Sequence, residues 1–98
     1  MRATGELRPR IAITLGDPRG VGPEVVRRAL EDPTLRDAAD YVCVGPEGVE
    51  RPRDVPLEPV GRWQAPGSAR EAGALAGRAI EAATRLVLDG HAHALVTA

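Results

Sequence analysis

The sequence predicts an α/β fold in which parallel β-α-β units form part of an open, three-layer sheet. The first observation is an apolar, β-branched run at residues 11–15, typical of a strand buried on both faces. The second is the glycine-rich loop and helix pattern that follow it. The third is a long, alanine-rich helix pattern over residues 69–89, which precedes another apolar run. Strand–helix–strand alternation implies right-handed crossovers and therefore a parallel sheet.

The first β-α unit covers residues 11–31. Its loop, residues 16–22, contains three glycines and a proline. Pro23 suits the first position of a helix because its missing N–H would have no partner there, and Glu24 in the first turn favours the helix dipole. The helix is predicted to run to about residue 31, because the residue before Pro33 is pushed out of the helical region.

A short turn and a second strand are predicted next. Thr34 is predicted to cap a turn that extends to about residue 39. Residues 41–44 are an apolar run that predicts strand two, and Gly45-Pro46 is predicted to close it. The single cysteine, Cys43, lies within this run and is predicted to be a small buried hydrophobe rather than a nucleophile.

The interval between residues 46 and 61 is the least regular part of the chain. Its four prolines exclude a continuous helix. Residues 55–60 can still form an edge strand, where a proline is tolerated. Trp63, just beyond, is predicted to be a packing anchor for this region rather than a stacking platform.

The last third of the chain carries the strongest local signals. Ser68 and Glu71 match the capping box, in which each side chain satisfies the other residue's main-chain N–H. Apolar residues then recur every three or four positions, at Ala72, Leu75, Ala76, Ala79, Ile80, Ala83, Leu86 and Val87. Gly90 is predicted to be the left-handed cap, and residues 92–97 strand three. Residues 1–9 are predicted to be a loose polar leader.

Composition narrows the classes of function. The length of 98 residues suits one small domain or part of a larger one. The formal net charge is −1 and the arginines are spread along the chain, so we expect no nucleic-acid partner. No apolar stretch reaches membrane-spanning length, so we expect no membrane partner. One thiol cannot form an internal disulfide, which fits a reducing, cytoplasmic location.

The glycine loop is the candidate binding site. Glycines allow a ligand close to the main chain, and N–H groups at a helix start favour anions. The glycine spacing matches neither the dinucleotide-binding fingerprint nor a P-loop, so a tight turn without a ligand remains an alternative. Asp17 lies where α/β sheets place their ligands, although an Asx turn explains it equally well. The predicted cofactor-binding residues are Gly16, Asp17, Gly20, Gly22 and Thr97.

No catalytic or metal-binding residue is predicted within the chain. His91 and His93 form the single histidine pair, but they lie at the strand end opposite to where sites collect, without a third ligand nearby in sequence. Glu24 is predicted to serve as a charge at the helix start rather than as a general base.

The loop motif, G-D-P-x-G-V-G-P-E after an I-T-L strand, resembles the N-terminal signature of the 4-hydroxythreonine-4-phosphate dehydrogenase family of pyridoxal phosphate biosynthesis. Residues 66–73 and 90–98 resemble the sequence block that comes next in that family, both in residue types and in their order along the chain. A shorter motif, G-D-G-I-G-P-E, opens the isocitrate and isopropylmalate dehydrogenases. The inserted Pro18-Arg19 favours the first family, although Arg19 replaces a residue that is commonly small there.

The resemblance implies a truncated fold like that of the isocitrate and isopropylmalate dehydrogenases, with residues 1–98 as the N-terminal portion of a single α/β domain. It implies NAD-dependent oxidation of 4-phosphooxy-threonine followed by loss of CO2. The divalent metal ligands and a lysine lie outside this chain, and the full-length family forms homodimers. The chain departs from the family between residues 46 and 61, where a helix is shortened or lost, and at His93, where Asp is common.

The resemblance therefore predicts an N-terminal fragment of such an enzyme that is inactive alone. Two alternatives remain open at this point. One is a related dehydrogenase for a four-carbon sugar acid phosphate. The other is a non-catalytic, nucleotide-binding remnant.

Overall fold

The structure is a computed structural model that describes residues 8–98, so the leader predicted over residues 1–9 lies almost entirely outside the described part. The elements in chain order are β1 (Arg10–Thr14), α1 (Gly22–Ala29), α2 (Pro33–Ala38), β2 (Asp40–Glu47), β3 (Leu57–Arg62), α3 (Ala69–Leu88) and β4 (Ala94–Thr97). All three strand pairings are parallel, and the strands lie in the order β3-β2-β1-β4. The predicted α/β class with a parallel sheet is confirmed.

Helices cover both faces of the sheet. The face under α3, here called the α3 face, has a core of small side chains: Ala12, Val44, Ala79, Ala83 and Ala92. The opposite face, here called the α1 face, has a core of larger side chains: Ile13, Leu15, Val26, Leu30, Cys43 and Val55. Successive residues of β1 alternate between the two cores, as expected for a strand buried on both sides. The predicted three-layer arrangement is therefore present.

The cap of α2 differs from the prediction. Asp32, not Thr34, is the N-cap, and its Oδ1 accepts a hydrogen bond from the Thr34 main-chain N–H at 2.8 Å. The physical reason is Pro33, which takes the first helical position and therefore makes the preceding residue the cap. The first helix, α1, ends at Ala29, two residues before the predicted end.

Strand β2 is longer than predicted. Gly45 and Pro46 do not close it, because the strand continues to Glu47 and pairs with β3 across an irregularity between Gly45 and Glu47. A proline, which has no N–H, is compatible with a strand at such a bulge. The edge strand predicted over residues 55–60 exists as β3, shifted by two residues to Leu57–Arg62, and it lies at the edge of the sheet, as expected.

Residues 48–56 connect β2 to β3 without a helix. Val55 belongs to the core of the α1 face and so occupies space that a crossover helix would otherwise fill. Two arginines tie this connection to the helices: Arg27 of α1 donates to Glu50, and Arg36 of α2 pairs with Asp54 at 2.5 Å. These contacts, here called the arginine clasp, join the connection to the rest of the α1 face.

Helix α3 begins with the predicted capping box. The Ser68 Oγ accepts a hydrogen bond from the Glu71 N–H at 3.0 Å, and Glu71 Oε1 accepts from the Ser68 N–H at 3.4 Å. Gly90 ends the helix with φ +80°, as predicted. The next strand starts at Ala94 rather than residue 92, because the Ala92 N–H still donates to the Leu86 carbonyl. Ile80, predicted to lie in the buried stripe, is 48% exposed.

Candidate functional site

The glycine loop lies at the carboxyl end of β1, beside the ends of two neighbouring strands. The Leu15 N–H donates to the Val44 carbonyl of β2 at 3.0 Å. On the other side, the Ala98 N–H donates to the Thr14 carbonyl at 3.2 Å. The loop thus follows a strand flanked by partners on both sides, at the edge where open α/β sheets collect ligands.

Two of the three loop glycines are required by the chain's own main chain. Gly16 has φ +79°, and a Cβ there would lie 2.7 Å from the Ala98 carbonyl oxygen. A Cβ on Gly22 would lie 2.3 Å from the Leu15 carbonyl oxygen. Both distances are too short for any other residue. At Gly16 and Gly22 the group that lies close to the main chain is therefore a carbonyl of the protein itself and not a ligand. This agrees with the alternative of a tight turn without a ligand.

Gly20 has more room than the other two. A Cβ there would lie 3.4 Å from the Asp17 carbonyl oxygen, and the Gly20 N–H donates to that oxygen at 2.9 Å. This bond closes a turn over residues 17–20. Gly20 is thus the loop glycine whose small size leaves space next to the main chain.

The Asp17 carboxylate is already engaged within the loop. Its Oδ1 accepts from the Arg19 main-chain N–H at 2.8 Å, and its Oδ2 accepts from the Arg19 guanidinium at 2.9 Å. These bonds hold the pKa of Asp17 below its usual value, chiefly through the side-chain bond to Arg19. Asp17 is therefore an ionised Asx-turn residue, and a ligand that used it would compete with Arg19.

The start of α1 is open to the loop. Within residues 8–98, no side chain caps it, and its N-cap residue Val21 is 72% exposed. Glu24 in the first turn pairs with Arg28 at 2.8 Å, one turn along the same helix. Glu24 thus acts as a paired charge at the helix start, and no contact commits it to general-base chemistry.

A small cavity lies beside this helix start. It has a volume of about 260 Å³ and is lined by Pro18, Gly20, Pro23, Glu24, Gly48, Val49, Glu50 and Trp63. Pockets that bind drug-sized molecules are usually larger, from about 300 Å³ upwards. The described residues therefore form one wall of the candidate site rather than a complete enclosure for a dinucleotide.

Sequence reasoning missed the part of this wall that comes from residues 48–50 and Trp63. Gly48 has φ +95°, and a Cβ there would lie 2.3 Å from the Trp63 carbonyl oxygen, so the two segments touch. The indole ring also packs against Gly67, as the packing-anchor prediction expects. Neither segment carries a local motif that places it near the loop, because the contact depends on the bulged pairing of β2 with β3.

The predicted site residues do not form one cluster. Gly16 and Gly22 both lie against Ala98, and Thr97 pairs with Thr14 at the same end of the sheet. Among the five predicted residues, only Gly20 lines the small cavity. The Asp17 carboxylate is bonded to Arg19 instead. Their role in cofactor binding stays a prediction.

The opposite end of the sheet holds a larger cavity of about 840 Å³. Its lining mixes arginines and acids around the first residues of β1 and β2, including Arg10, Asp40 and His91. His93 is engaged there, since its Nδ1 accepts from the Arg10 N–H at 2.9 Å. This cavity lies at the amino ends of the strands, away from the edge where α/β sheets place ligands.

Metal and thiol chemistry find no support in the described residues. Over residues 8–98 there is no group of three or more histidine, cysteine or acidic side chains able to hold a metal ion. Burial raises the pKa of the Cys43 thiol to about 11, so it stays protonated and unreactive at neutral pH. In the same part of the chain, no helix is both long and apolar enough to span a membrane.

Comparisons with known proteins agree with the sequence resemblance. No family model matches the chain. The 4-hydroxythreonine-4-phosphate dehydrogenase of Synechococcus sp. (strain JA-2-3B'a(2-13)) is 53% identical over 38 residues, which cover 39% of this chain and 11% of the relative. The enzyme of the same name from Trichlorobacter lovleyi gives the same identity and coverage.

A solved structure extends the similarity to most of the chain. It is a Salmonella typhimurium protein assigned as a 4-hydroxythreonine-4-phosphate dehydrogenase, and it matches with a TM-score of 0.65 and 29% identity. The match covers 92% of this chain but 37% of the Salmonella chain. The resemblance to this enzyme family is confirmed, and the short coverage fits a fragment of such an enzyme.

Proposed function

We propose that the chain is the N-terminal portion of an oxidoreductase of the 4-hydroxythreonine-4-phosphate dehydrogenase type, with residues 1–98 forming part of a single α/β domain. The whole enzyme would be an NAD-dependent, metal-assisted oxidative decarboxylase of 4-phosphooxy-threonine in pyridoxal phosphate (vitamin B6) biosynthesis. The observation that carries the proposal is the 38-residue stretch with 53% identity to dehydrogenases of that name. The TM-score of 0.65 to the Salmonella protein supports the same assignment over most of the fold.

The geometry supports a role in holding the cofactor rather than in chemistry. Bound NAD would accept the hydride from the substrate's hydroxyl carbon. The open start of α1 suits an anionic group such as a pyrophosphate, and the space beside Gly20 lets that group approach the main chain. Thr97 supplies a hydroxyl at the end of the neighbouring strand.

The contacts of the described residues do not favour a catalytic role for them. Asp17 is bonded to Arg19 and Glu24 to Arg28, so neither carboxylate is set up as a general base. Residues 8–98 also contain no donor set for the divalent metal. We therefore propose that the 98-residue protein is inactive, and that the metal ligands lie in the remainder of the enzyme.

The direct test is an NAD reduction assay with 4-phosphooxy-threonine and a divalent metal. The purified 98-residue protein should give no turnover. A chimera in which these residues replace the matched portion of the Salmonella protein should reduce NAD. Robust turnover by the short chain would contradict its proposed inactivity, whereas a folded but inactive chimera would contradict the proposed function.

Calorimetry with NAD distinguishes the proposed enzyme portion from a non-catalytic, nucleotide-binding remnant. Saturable binding by the 98-residue protein without turnover in the chimera would favour a nucleotide-binding remnant. Preference of the chimera for a four-carbon sugar acid phosphate would favour the related dehydrogenase. We also propose that the whole enzyme is a cytoplasmic homodimer. The mass of the chimera in solution tests the dimer.

A further inference from the structure

The walls of the cavity beside Gly20 come from separate segments of the chain. One wall includes Pro23 and Glu24 at the start of α1, and the other includes residues 48–50. Residues 48–50 lie in the connection between β2 and β3 and belong to neither a strand nor a helix. The distance between the two walls therefore depends on the tertiary contacts of that connection.

Arg27 joins the two walls directly. It lies on α1, the helix whose start forms the first wall. Its Nε donates to the Glu50 carboxylate on the second wall. Its Nη1 donates to Glu31 Oε2 at 2.9 Å, which holds the guanidinium against its own end of the α1 face. One side chain thus connects the helix that carries the loop to the segment that faces the loop.

Arg36 forms the other half of the arginine clasp but holds a different part of the connection. Its Nη1 and Nη2 donate to the two carboxylate oxygens of Asp54, at 3.1 and 2.5 Å. The described residues that line the cavity beside Gly20 include Glu50 and do not include Asp54. The two pairs of the clasp are therefore alike in chemistry, and they differ in whether they end at the cavity.

We propose that Arg27 is a positioning residue for the cofactor: by holding Glu50, it keeps residues 48–50 in place as the wall opposite the start of α1. It acts through Glu50 and not on the reacting atoms. This inference rests on the proposed function, because it assigns a role within the proposed cofactor site. Without the pair, cofactor binding must itself order the wall, so the apparent affinity falls with the fraction of molecules whose wall is in place.

The fluorescence of Trp63 tests the position of the wall without any activity. Trp63 is the single tryptophan of the chain and lines the same cavity. In the 98-residue protein, Arg27→Met keeps a long side chain but removes both bonds, and it should raise the acrylamide quenching constant of Trp63 by about 2-fold through local opening. Arg36→Met is the matched control and should leave it nearly unchanged. Equal quenching constants in the two variants would overturn the inference.

Enzyme kinetics in the chimera described above test the role toward the cofactor. Arg27→Met should raise KM for NAD by about 3- to 5-fold, a modest change because exposed ion pairs are individually weak. Neither kcat nor KM for 4-phosphooxy-threonine should change. Arg36→Met should leave KM for NAD unchanged, although both variants lower the melting temperature. An equal rise in KM for NAD in both variants would overturn the inference.

A further variant separates position from charge. If Arg27 acted only by neutralising Glu50 beside an anionic cofactor, then Glu50→Leu would lower KM for NAD, because it removes the negative charge. If Arg27 positions the wall, Glu50→Leu should raise KM for NAD as much as Arg27→Met does. The double variant should then raise it no further, because both changes break the same contact. A lower KM in Glu50→Leu would overturn the inference.

The inference and the proposed function can fail separately. Trp63 quenching requires no turnover, so equal quenching in the two arginine variants would overturn the inference and leave the proposed function standing. A folded, inactive chimera would contradict the proposed function, and quenching would still decide whether Arg27 holds the wall. If the 98-residue protein is unfolded, the same quenching is measured in the chimera as the difference between each variant and its Trp63→Phe counterpart.

Discussion

The two faces of the sheet are built by different means. On the α3 face a single 20-residue helix crosses the sheet and packs through alanines, with Ala72, Ala79 and Ala83 fully buried. On the α1 face an eight-residue helix contributes Val26, its C-cap residue is Leu30, and the remaining cover comes from Val55 in an irregular connection. One face depends on a long regular element, and the other on larger side chains from several short segments.

This difference shows which kind of change each face tolerates. Where small side chains let a helix lie close to the sheet, adding volume is harmful. Where larger side chains from separate segments meet, removing volume leaves a cavity that short segments fill poorly. The predictions below test that contrast, from the largest expected effect to the smallest.

Leu15→Ala should have the largest effect, because Leu15 is fully buried in the core of the α1 face. We expect a loss of about 3 kcal/mol or more in the free energy of unfolding, measured by urea denaturation. Val25→Ala on the exposed side of α1 is the control and should change it by about 0.5 kcal/mol or less. A loss of the same small size for Leu15→Ala would show that the α1 face is not a packed core.

Ala83→Leu tests the α3 face by adding volume. Ala83 is fully buried against the sheet, so the larger side chain should cost about 1–3 kcal/mol of unfolding free energy. The control, Ala74→Leu, makes the same change at an exposed position of the same helix and should be nearly neutral. If both variants were equally stable, the close approach of α3 to the sheet would be disproved.

Ser68→Ala tests the start of α3. Loss of the capping box should cost about 1 kcal/mol, seen as a lower urea midpoint. Ser68→Asp keeps an oxygen acceptor for the Glu71 N–H and should retain most of the stability. Equal losses for both variants would argue against the hydrogen bond as the cause.

Acid should loosen the arginine clasp without unfolding the α3 face. The bond from Arg36 holds the pKa of Asp54 below its ordinary value of 3.8. A lowered folded-state pKa means that the contribution to stability is present above pH 3.8 and is lost as the pH falls through the folded-state pKa. The protection factor of the Val55 amide, which donates to the Pro52 carbonyl, should therefore fall in acid, once its exchange rate is compared with that of an unstructured peptide at the same pH.

The matched variants are Asp54→Asn and Glu58→Gln. The first should lower the protection factor of Val55 already at neutral pH and remove most of its further fall in acid. The second changes an exposed acid on β3 and should leave the response intact. An acid response that survives in Asp54→Asn would assign it to another group.

The sequence predicted best those features whose signals lie within one element. The capping box at Ser68, the cap at Gly90 and the buried alanines of α3 are each specified by neighbours in sequence, and all are present. The early end assigned to β2 was wrong because a proline usually interrupts pairing, whereas here a bulge accommodates it. That bulge depends on β3, which no local pattern near Pro46 reveals.

The candidate site was predicted in part for the same reason. The position of the loop at the carboxyl end of β1 follows from the strand–loop–helix order. Two other features do not follow from that order: the hydrogen bonds between Asp17 and Arg19, and the contact between Trp63 and Gly48. Both depend on side-chain and tertiary contacts. The 48% exposure of Ile80 likewise depends on tertiary packing and not on the helical repeat alone.

The arginine clasp also makes one part of the molecule responsive to its ionic surroundings. Its pairs are largely open to solvent, so dissolved salt screens them, while the alanine packing under α3 is insensitive to screening. Rising ionic strength should therefore weaken the attachment of residues 48–56, which form one side of the cavity beside Gly20, before it disturbs the sheet. The shape of the candidate site should thus depend on the salt concentration of the solution.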